Sequence, residues 1–512
     1  MAETKREIER KYEATGDDVR LPDLTRVAGV ASVVDKGVAE LDAVYYDTPD
    51  LRLAAHSLTL RRRTGGDDAG WHLKFPVATG IRDEIRAPLS PALPRTLAAL
   101  LRSRVRDTQL APVVRLLSSR DVRHLLDEHG ALLAEVSVDA VRAERLTPPR
   151  APEPPAAASW TEIEVELADD VDPALLDRVG KRLRKAGLRP SASASKLARA
   201  LAQTGTVPPA QESVGVREPT AGSHVLDYLR AQRDALVALD PAVRRDLPDS
   251  VHQMRVATRR LRSAFKSYGK VLDRTVTDPV GEELKWLAGE LGVDRDQEVL
   301  TERLQSRIAA LPRTLLLGPV RGRLRIWSTA RRGGSRRKTL AVLDSKRYLV
   351  LLDTLDALLD GPPLRPAAGR PVADVVPKAV IREYDRLAGR IAHALALDPG
   401  VPRDLAMHDA RKAAKRARYA AEAAAPALGG PAKKFAKRMK AVQTVLGDHQ
   451  DSVVAREALR GLAVQAHLAG ESAFTWGLLY GQEAATAAER ERELPEVWAK
   501  ASRPALRERL MA

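Results

Sequence analysis

Two kinds of hydrophobic patterning divide the chain. Over roughly the first 200 residues, apolar and polar positions alternate in short runs, the period-two mark of half-buried strands. Trp71, Leu73 and Phe75 fall on one face of such a run and His72 and Lys74 on the other. The same alternation runs through Glu7–Tyr12, Ile81–Arg86, Thr161–Leu167 and, in part, Thr59–Arg63. Gly65-Gly66 followed by Asp67-Asp68 predicts a hairpin turn between two of these strands. Short helices are predicted over 23–40, 92–107 and 173–187, the last stopped by Gly187 and Pro190. Pro148–Ser159 is rich in Pro and Ala and reads as a loop between strands. The polar stretch Gln203–Ser223, with Pro208-Pro209 and Pro219, reads as an interdomain linker. Beyond it, long Ala/Leu/Arg segments with scattered Gly and Pro stops predict all-α bundles. The expected organisation is a strand-rich domain over 1–203, a linker over 204–222 and a helical domain over 223–512.

Composition narrows the class. A chain of 512 residues is long enough for more than one domain with its own core. The absence of Cys excludes a disulfide scaffold, a thiolate metal site and a cysteine nucleophile. With 44% hydrophobic and 30% charged residues, the chain is too apolar to be disordered and too charged to be a membrane protein. No run approaches the ~18 apolar residues of a spanning helix, and Met1–Glu7 lacks the apolar run of a signal peptide. A soluble cytoplasmic protein is expected. Charge is unevenly placed: residues 1–200 carry 32 Lys and Arg against 31 Asp and Glu, and the remainder 52 against 37. A basic domain of this kind attracts polyanions.

The strand faces carry the candidate chemistry. Glu7, Glu9 and Lys11 share a face, as do Thr59, Arg61 and Arg63, then His72 and Lys74. Arg82, Glu84 and Arg86 form another such face, and Glu162, Glu164 and Glu166 a last one. A solvated face would account for any one strand; the set is harder to dismiss. Three carboxylates in a row repel by up to several kcal/mol unless arginines or a divalent cation compensate. If the strands close into a barrel, alternate residues line its interior. Acids suited to hard cations would then stand beside bases suited to phosphate oxygens. Metal-assisted hydrolysis of a phosphoanhydride needs that combination.

Glu7-x-Glu9-x-Lys11 resembles the ExExK signature of the CYTH family, the triphosphate tunnel metalloenzymes. In the family's order follow Tyr45-Tyr46-Asp47-Thr48, Leu58–Arg63, the Lys74 strand, the Arg82/Glu84 strand and Asp139. The acidic strand of Glu162, Glu164 and Glu166 and then Ser195-Lys196 complete a resemblance over about 3–203. It implies an eight-stranded antiparallel β-tunnel with flanking helices, acting on triphosphates with Mg²⁺ or Mn²⁺. Glu7, Glu9 and Lys11 would be catalytic, with Glu7, Glu9, Glu162 and Glu164 on the metal. Lys11, Arg61, Arg63, Lys74, Arg82 and Lys196 would hold phosphates. Of Arg120 and Arg123, three apart, one faces inward, and Arg120 is preferred. Glu135 and Asp139 share a face, with Asp139 taken as functional; Glu84 and Glu166 are further tunnel acids.

The helical half contains a repeat. The segment His252 to Arg262, with Arg255, Arg259 and Arg260, recurs at an offset of 156 as His408 to Arg418, with Arg411, Lys415 and Arg416. Leu291-Gly292-x-x-Arg295-Asp296 recurs as Leu446-Gly447-x-x-Gln450-Asp451, offset by 155. Duplication of a bundle, about 223–365 and 372–505, is the simplest account. The spacing places His252, Arg255, Arg259, Arg262 and Lys266 on one helix face, and His408, Arg411, Lys415 and Arg418 on another. Neither row is expected to carry an acid on its own stripe. Lys412 and further runs at Arg331-Arg332, Arg336-Arg337-Lys338 and Lys433-Lys434, Lys437-Arg438, Lys440 add positive charge. Only 4% of residues are aromatic and no nucleic-acid motif is present, so nucleic acid is disfavoured.

These marks resemble the CHAD domain, the conserved-histidine α-helical domain, over about 220–505. The resemblance implies two pseudo-symmetric bundles that bind inorganic polyphosphate on a basic surface, with Leu-Gly-x-x-Arg-Asp as a turn. The histidines are taken as hydrogen-bond donors to phosphate. The expected function is metal-dependent hydrolysis of inorganic triphosphate or short polyphosphate, joined to polyphosphate binding. A non-catalytic protein tethered to polyphosphate granules is the alternative, and adenylate cyclase-like chemistry ranks third.

Overall fold

Nine strands form in the first part of the chain: β1 (Glu3–Glu13), β2 (Ser32–Asp47), β3 (Thr59–Thr64), β4 (Gly70–Ala78), β5 (Ile81–Pro88), β6 (Ala111–Leu126), β7 (Leu132–Arg145), β8 (Ala157–Leu167) and β9 (Arg189–Pro190). The computed structural model describes residues 3–13, 20–146, 157–205, 219–332 and 335–512, the side chains of 293–296, 330–332 and 335 excepted. Most of the expected Pro148–Ser159 loop and of the 204–222 linker lies outside the described residues, as do the side chains of Arg295, Asp296, Arg331 and Arg332. The chain divides into two compact units, Met1–Gly215 and Val216–Ala512.

In the first unit the strands are hydrogen-bonded in the order β5-β4-β3-β2-β6-β7-β8-β1-β9, and β1 also pairs with β5. The sheet therefore closes into an antiparallel ring of eight strands, with β9 appended. β1 makes the closure by changing partner midway, pairing β5 over Glu3–Ile8 and β8 over Glu9–Glu13.

Alternation does the rest. In a small barrel the interior is ordinarily filled by apolar side chains; here the apolar face points outward. Leu60, Trp71, Leu73 and Ile85 pack beneath the helix Arg95–Val105. Tyr12, Val136, Ile163 and Val165 pack with the helix Ala174–Lys185. Val113, Val141 and Trp160 pack with the helix Lys196–Gln203. Three outer cores thus leave the charged face of each strand to line the interior.

The Gly65-Gly66 turn joins β3 to β4 as expected, with φ of 80° and 67°. A Cβ on Gly65 would lie 2.0 Å from the Glu40 carbonyl oxygen, so only glycine fits. Helices occupy Arg95–Val105 and Ala174–Lys185, within two of the expected segments. The third expectation fails: 23–40 is a short turn of helix at Leu24–Arg26 followed by β2 from Ser32. Residues 32–40 are mostly exposed and show no clean alternation, and their strand state comes from pairing with β6 from Ser32↔Leu126 onward.

The second unit is built of helices, including Ala221–Arg244, Ser250–Ser267, Arg274–Glu290, Val293–Ala310, Val372–Ala396, Val401–Leu468 and Phe474–Ala501. Val401–Leu468 kinks at Gly429, with φ 60° and ψ −131°, beside Pro431. Its first segment buries a seam of alanines, Ala406, Ala410, Ala413, Ala417, Ala420 and Ala424, that lets neighbouring helices approach closely.

The two copies differ where the repeated Leu-Gly stands. Leu291-Gly292 breaks the chain between two helices, whereas Leu446-Gly447 lies within the continuous helical segment after the Gly429 kink, so the expected turn is absent from the second copy. What the glycines share is a neighbour. A Cβ on Gly292 would sit 2.7 Å from the Arg255 guanidinium, and one on Gly447 would sit 3.5 Å from that of Arg411. Each arginine of the repeated His-x-x-Arg lies against the glycine of its own copy.

Candidate active site and basic helical face

The strand ring encloses a cavity of about 540 Å³ reached by Glu7, Glu9, Lys11, Arg61, Arg63, Lys74, Arg82, Arg120, Glu164, Glu166 and Lys196. Register explains how they meet. Glu7 is opposite Arg82 across β1–β5, Lys11 is opposite Glu164 across β1–β8, and Asp139 lies between Arg120 and Glu162. Lys196 enters from the first turn of the helix Lys196–Gln203, whose N-cap Ser195 accepts from the Ala198 N–H.

The charges interlock in two groups. In one, Lys196 lies 3.0 Å from Asp139, 3.2 Å from Glu162 and 2.6 Å from Glu164. Arg120 holds Asp139 through two hydrogen bonds of 2.7 and 2.9 Å and donates to Glu164 at 2.9 Å. Lys11 pairs closely with Glu164 and lies 3.3 Å from Glu9. In the other, Lys74 joins Glu7 at 2.6 Å to Glu84 at 3.4 Å, and Arg61 reaches Glu84 at 3.7 Å. Arg63 is paired with Asp68 of the β3–β4 turn, Glu166 with Lys5 at 2.6 Å. Arg123 points away from this set and pairs with Asp121.

In the helical unit the two repeated rows lie on neighbouring helices. Arg260 of the helix Ser250–Ser267 pairs with Glu422 of the helix Val401–Leu468 at 3.1 Å, and Tyr268 donates to the Ala420 carbonyl. Lys415 is lowered by burial and by Arg411, Arg259 and Arg418, which brings cations of both rows close to it.

Residues 5–201 match the CYTH domain and residues 227–460 the CHAD domain. Uncharacterized proteins from two strains of Mycobacterium tuberculosis are each 40% identical over 498 residues, spanning 95% of this chain and 94% of theirs. This chain is a CYTH–CHAD protein. Among solved structures, PptA from Streptomyces chartreusis is 22% identical, over 55% of this chain and 99% of that one, with a TM-score of 0.47. A CHAD domain from the plant Ricinus communis is 26% identical, over 58% and 93%, with a TM-score of 0.43.

Electrostatics sorts the CYTH carboxylates into two kinds. Burial pushes Glu7 up to about 7, and Lys74 only partly offsets it. Burial likewise raises Glu162. Burial opposes the ionisation of Glu9, Glu164 and Asp139 as well, but adjacent Lys11, Lys196 and Arg120 outweigh it and hold all three below the usual range. Arg63 is pulled down to about 9 by burial and by Arg61 and Arg120.

Glu162 also tests whether a metal fits. It is wholly buried, and neither of its oxygens accepts a hydrogen bond from a described group. Its counter-charges are the ammonium groups of Lys196 and, at 3.7 Å, Lys11. Glu164 shares its strand face and Glu7 and Glu9 stand on the adjoining β1, oxygen donors of the type Mg²⁺ and Mn²⁺ take, but among the described residues no three of these carboxylates converge within 4.8 Å of one another while they are held in their ion pairs.

Not every expected CHAD residue joins the basic face. Lys412 pairs with Asp409 at 3.1 Å, and Arg416 turns to Glu383 of the helix Val372–Ala396 at 3.3 Å. Glu422, one turn past Arg418 and on the same stripe, receives Arg260 and Arg418, which corrects the expectation of an acid-free row. Its partners come from both copies, so only their packing shows what it neutralises. His252 and His408 are half-buried, and burial lowers His408 below its ordinary value, keeping it neutral at pH 7. Lys266, Lys433, Lys434 and Lys437 are exposed, and Arg262 and Arg438 half-buried.

Lys5, Tyr45, Asp68 and Lys36 also line the CYTH cavity and were not anticipated there, while Arg86 lines it as its shared face with Arg82 and Glu84 implied. Lys5 shares the face of Glu7, and Arg86 that of Glu84, so period two carried the signal for both. Asp68 stands in the β3–β4 turn and Lys36 at the register shift between Asp35 and Val38 of β2, and neither had one.

Proposed function

We propose that the CYTH domain hydrolyses inorganic triphosphate or short polyphosphate with Mg²⁺ or Mn²⁺, while the CHAD domain binds inorganic polyphosphate. The observation that carries this reading is the enclosed lining in which Glu7, Glu9 and Glu164 stand among Lys11, Lys74, Arg61, Arg120 and Lys196, with Glu162 buried against Lys196 outside that lining. The bound metal supplies charge neutralisation at the phosphate oxygens and activation of water. The chain's own cations do the rest. Lys11, Arg61, Arg63, Lys74, Arg82 and Lys196 take the remaining phosphate oxygens, which releases carboxylates now tied up in ion pairs. A linear, base-free polyanion suits such a lining. Tyr45 is the one Phe, Tyr or Trp among the lining residues, and its hydroxyl is occupied by Arg61 at 3.4 Å. The lining therefore favours inorganic chains over nucleotides.

The CHAD rows support capture in place of turnover, because Arg259, Arg411, Lys415 and Arg418 converge without a row of carboxylates to bind metal. No helix is long and apolar enough to cross a membrane among the described residues. A cytoplasmic protein able to associate with polyphosphate granules belongs to the same proposal.

The deciding experiment is phosphate release from triphosphate, long-chain polyphosphate and ATP, each with Mg²⁺, Mn²⁺ or EDTA. Metal-dependent release from triphosphate, with ATP slow, is the expected result. No release from any substrate, with polyphosphate still bound, would leave a non-catalytic binding protein.

A further inference from the structure

Within the CHAD domain, Asp404, His449 and Glu491 each bring one ligand atom to within 4.8 Å of the others. Asp404 is in the first turn of the helix Val401–Leu468, His449 lies on the far side of its Gly429 kink, and Glu491 belongs to the helix Phe474–Ala501. The His449 side chain is 1% exposed, with Nε2 3.2 Å from Asp404 Oδ1 and 3.4 Å from Glu491 Oε1.

The other carboxylate oxygens are already engaged. Asp404 Oδ2 takes Arg456 at 2.8 Å, and Glu491 Oε2 takes Arg403 at 2.8 Å. Each carboxylate thus gives one oxygen to an arginine and turns the other toward the imidazole. The arginines orient the two carboxylates as the outer layer of a metal site does, while Nδ1 of the buried imidazole has no hydrogen-bond partner among the described residues. Distance points the same way. Charge-assisted N–H···O bonds run about 2.7–2.9 Å, and both imidazole contacts are longer. Ligands about 2.0–2.1 Å from a tetrahedral ion stand roughly 3.3–3.4 Å apart.

We infer that Asp404, His449 and Glu491 form a binding site for a first-row divalent transition metal, Zn²⁺ foremost. One nitrogen and two oxygens suit zinc better than Mg²⁺ or Ca²⁺, which take all-oxygen sets. The arginine partners reinforce that choice, since they weaken the carboxylates' pull on a purely electrostatic cation. The ion joins both segments of the kinked helix to Phe474–Ala501. It lies two residues from Asp451, which approaches Arg411 of the basic row at 3.7 Å. The histidine of this site belongs to the second copy, the position matching His449 in the first being Asp294. It stands whether or not the CYTH domain turns over triphosphate.

The test uses the full chain carrying Glu7→Gln and Glu9→Gln, so that the tunnel contributes little metal. The protein is stripped with EDTA, given Zn²⁺ at micromolar concentration, desalted and analysed for zinc; Co²⁺ absorption is recorded in parallel. The expected result is one zinc per chain, a four-coordinate cobalt spectrum and a zinc-dependent rise in melting temperature. His449→Asn should lower zinc affinity by about 100-fold, and Arg456→Gln by about tenfold through loss of the carboxylate's orientation. Equal zinc in the His449→Asn chain, or none at micromolar zinc in the parent, would overturn the inference and leave an ion-pair cluster. If His449→Asn unfolds by circular dichroism, Glu491→Gln, of the same shape, decides the question by the same two outcomes.

Discussion

The two domains are both rich in arginine and lysine, yet they arrange them oppositely. In the CYTH cavity nearly every cation is matched: Lys11 with Glu164, Lys74 with Glu7, Arg120 with Asp139, Lys196 with three acids. On the CHAD face Arg259, Arg411, Lys415 and Arg418 crowd one another, and Glu422 and Asp451 relieve them only in part. Interlocked charges offset part of the desolvation cost of their own burial and can be re-partnered by a metal and phosphates, which is what discrimination and chemistry require. Crowded like charges are held apart from their counter-ions by the fold, and a polyanion releases that repulsion without needing a shaped pocket. Under the proposed function, position-specific recognition is expected of the first arrangement and length-tolerant, salt-sensitive binding of the second.

The comparison breaks most visibly at the carboxylates. Glu7→Gln with Glu9→Gln should reduce metal-dependent triphosphate hydrolysis by about 10³-fold, because metal contributes several kcal/mol to such reactions. Polyphosphate retention on the CHAD domain, followed by gel shift, should be unchanged; parallel loss of both would collapse the distinction. The reciprocal change, Arg259→Glu with Lys415→Glu, should weaken polyphosphate binding by about 100-fold and flatten its salt dependence. Triphosphate turnover in that variant should stay at its parent value.

Smaller effects separate the two CHAD copies. A Cβ on Gly292 meets both the Arg255 guanidinium and, at 2.9 Å, the Ala288 carbonyl oxygen, whereas one on Gly447 meets Arg411 at ordinary contact distance. Gly292→Ala should therefore cost about 1–3 kcal/mol by thermal or urea unfolding. Gly447→Ala, in mid-helix, should be neutral or slightly stabilising.

Lys415 gives the mildest test. Burial first, then Arg411 and Arg259, lower it to about 8, with Asp451 opposing and Arg418 adding to the effect. Its charge is complete below that value and is lost as pH rises through it. Polyphosphate affinity should accordingly fall about fivefold between pH 7 and 9.5, the equivalent of one contact of ~1 kcal/mol. Lys415→Arg should remove the slope; a slope that persists would assign it to another group.

Much of this was legible beforehand. Period-two alternation identified β1, β3, β4, β5 and β8 and the side of each that carries charge, because neighbouring side chains in a strand must point to opposite faces. The His-x-x-Arg repeat was visible as spacing alone. The start of β2 was misread as helix, since its exposed residues carry no alternation and only the β6 partner makes them a strand. Arg416 is expected among the polyphosphate-binding residues because it belongs to the repeated basic motif, but Glu383 on another helix draws it away.

What the sequence by itself determined is local: which residues are strand or helix, which share a face, and that one half is duplicated and basic. Backbone geometry sets those periods within a few residues, so composition and spacing suffice. Tertiary structure alone decided the rest. Closure through β1 turned five charged faces toward one cavity and brought Lys196 to Glu162 across the chain. Packing on the Gly429 kink brought Asp404, His449 and Glu491 together from positions up to 87 residues apart. Such meetings depend on long-range contacts whose energy no short stretch of sequence contains.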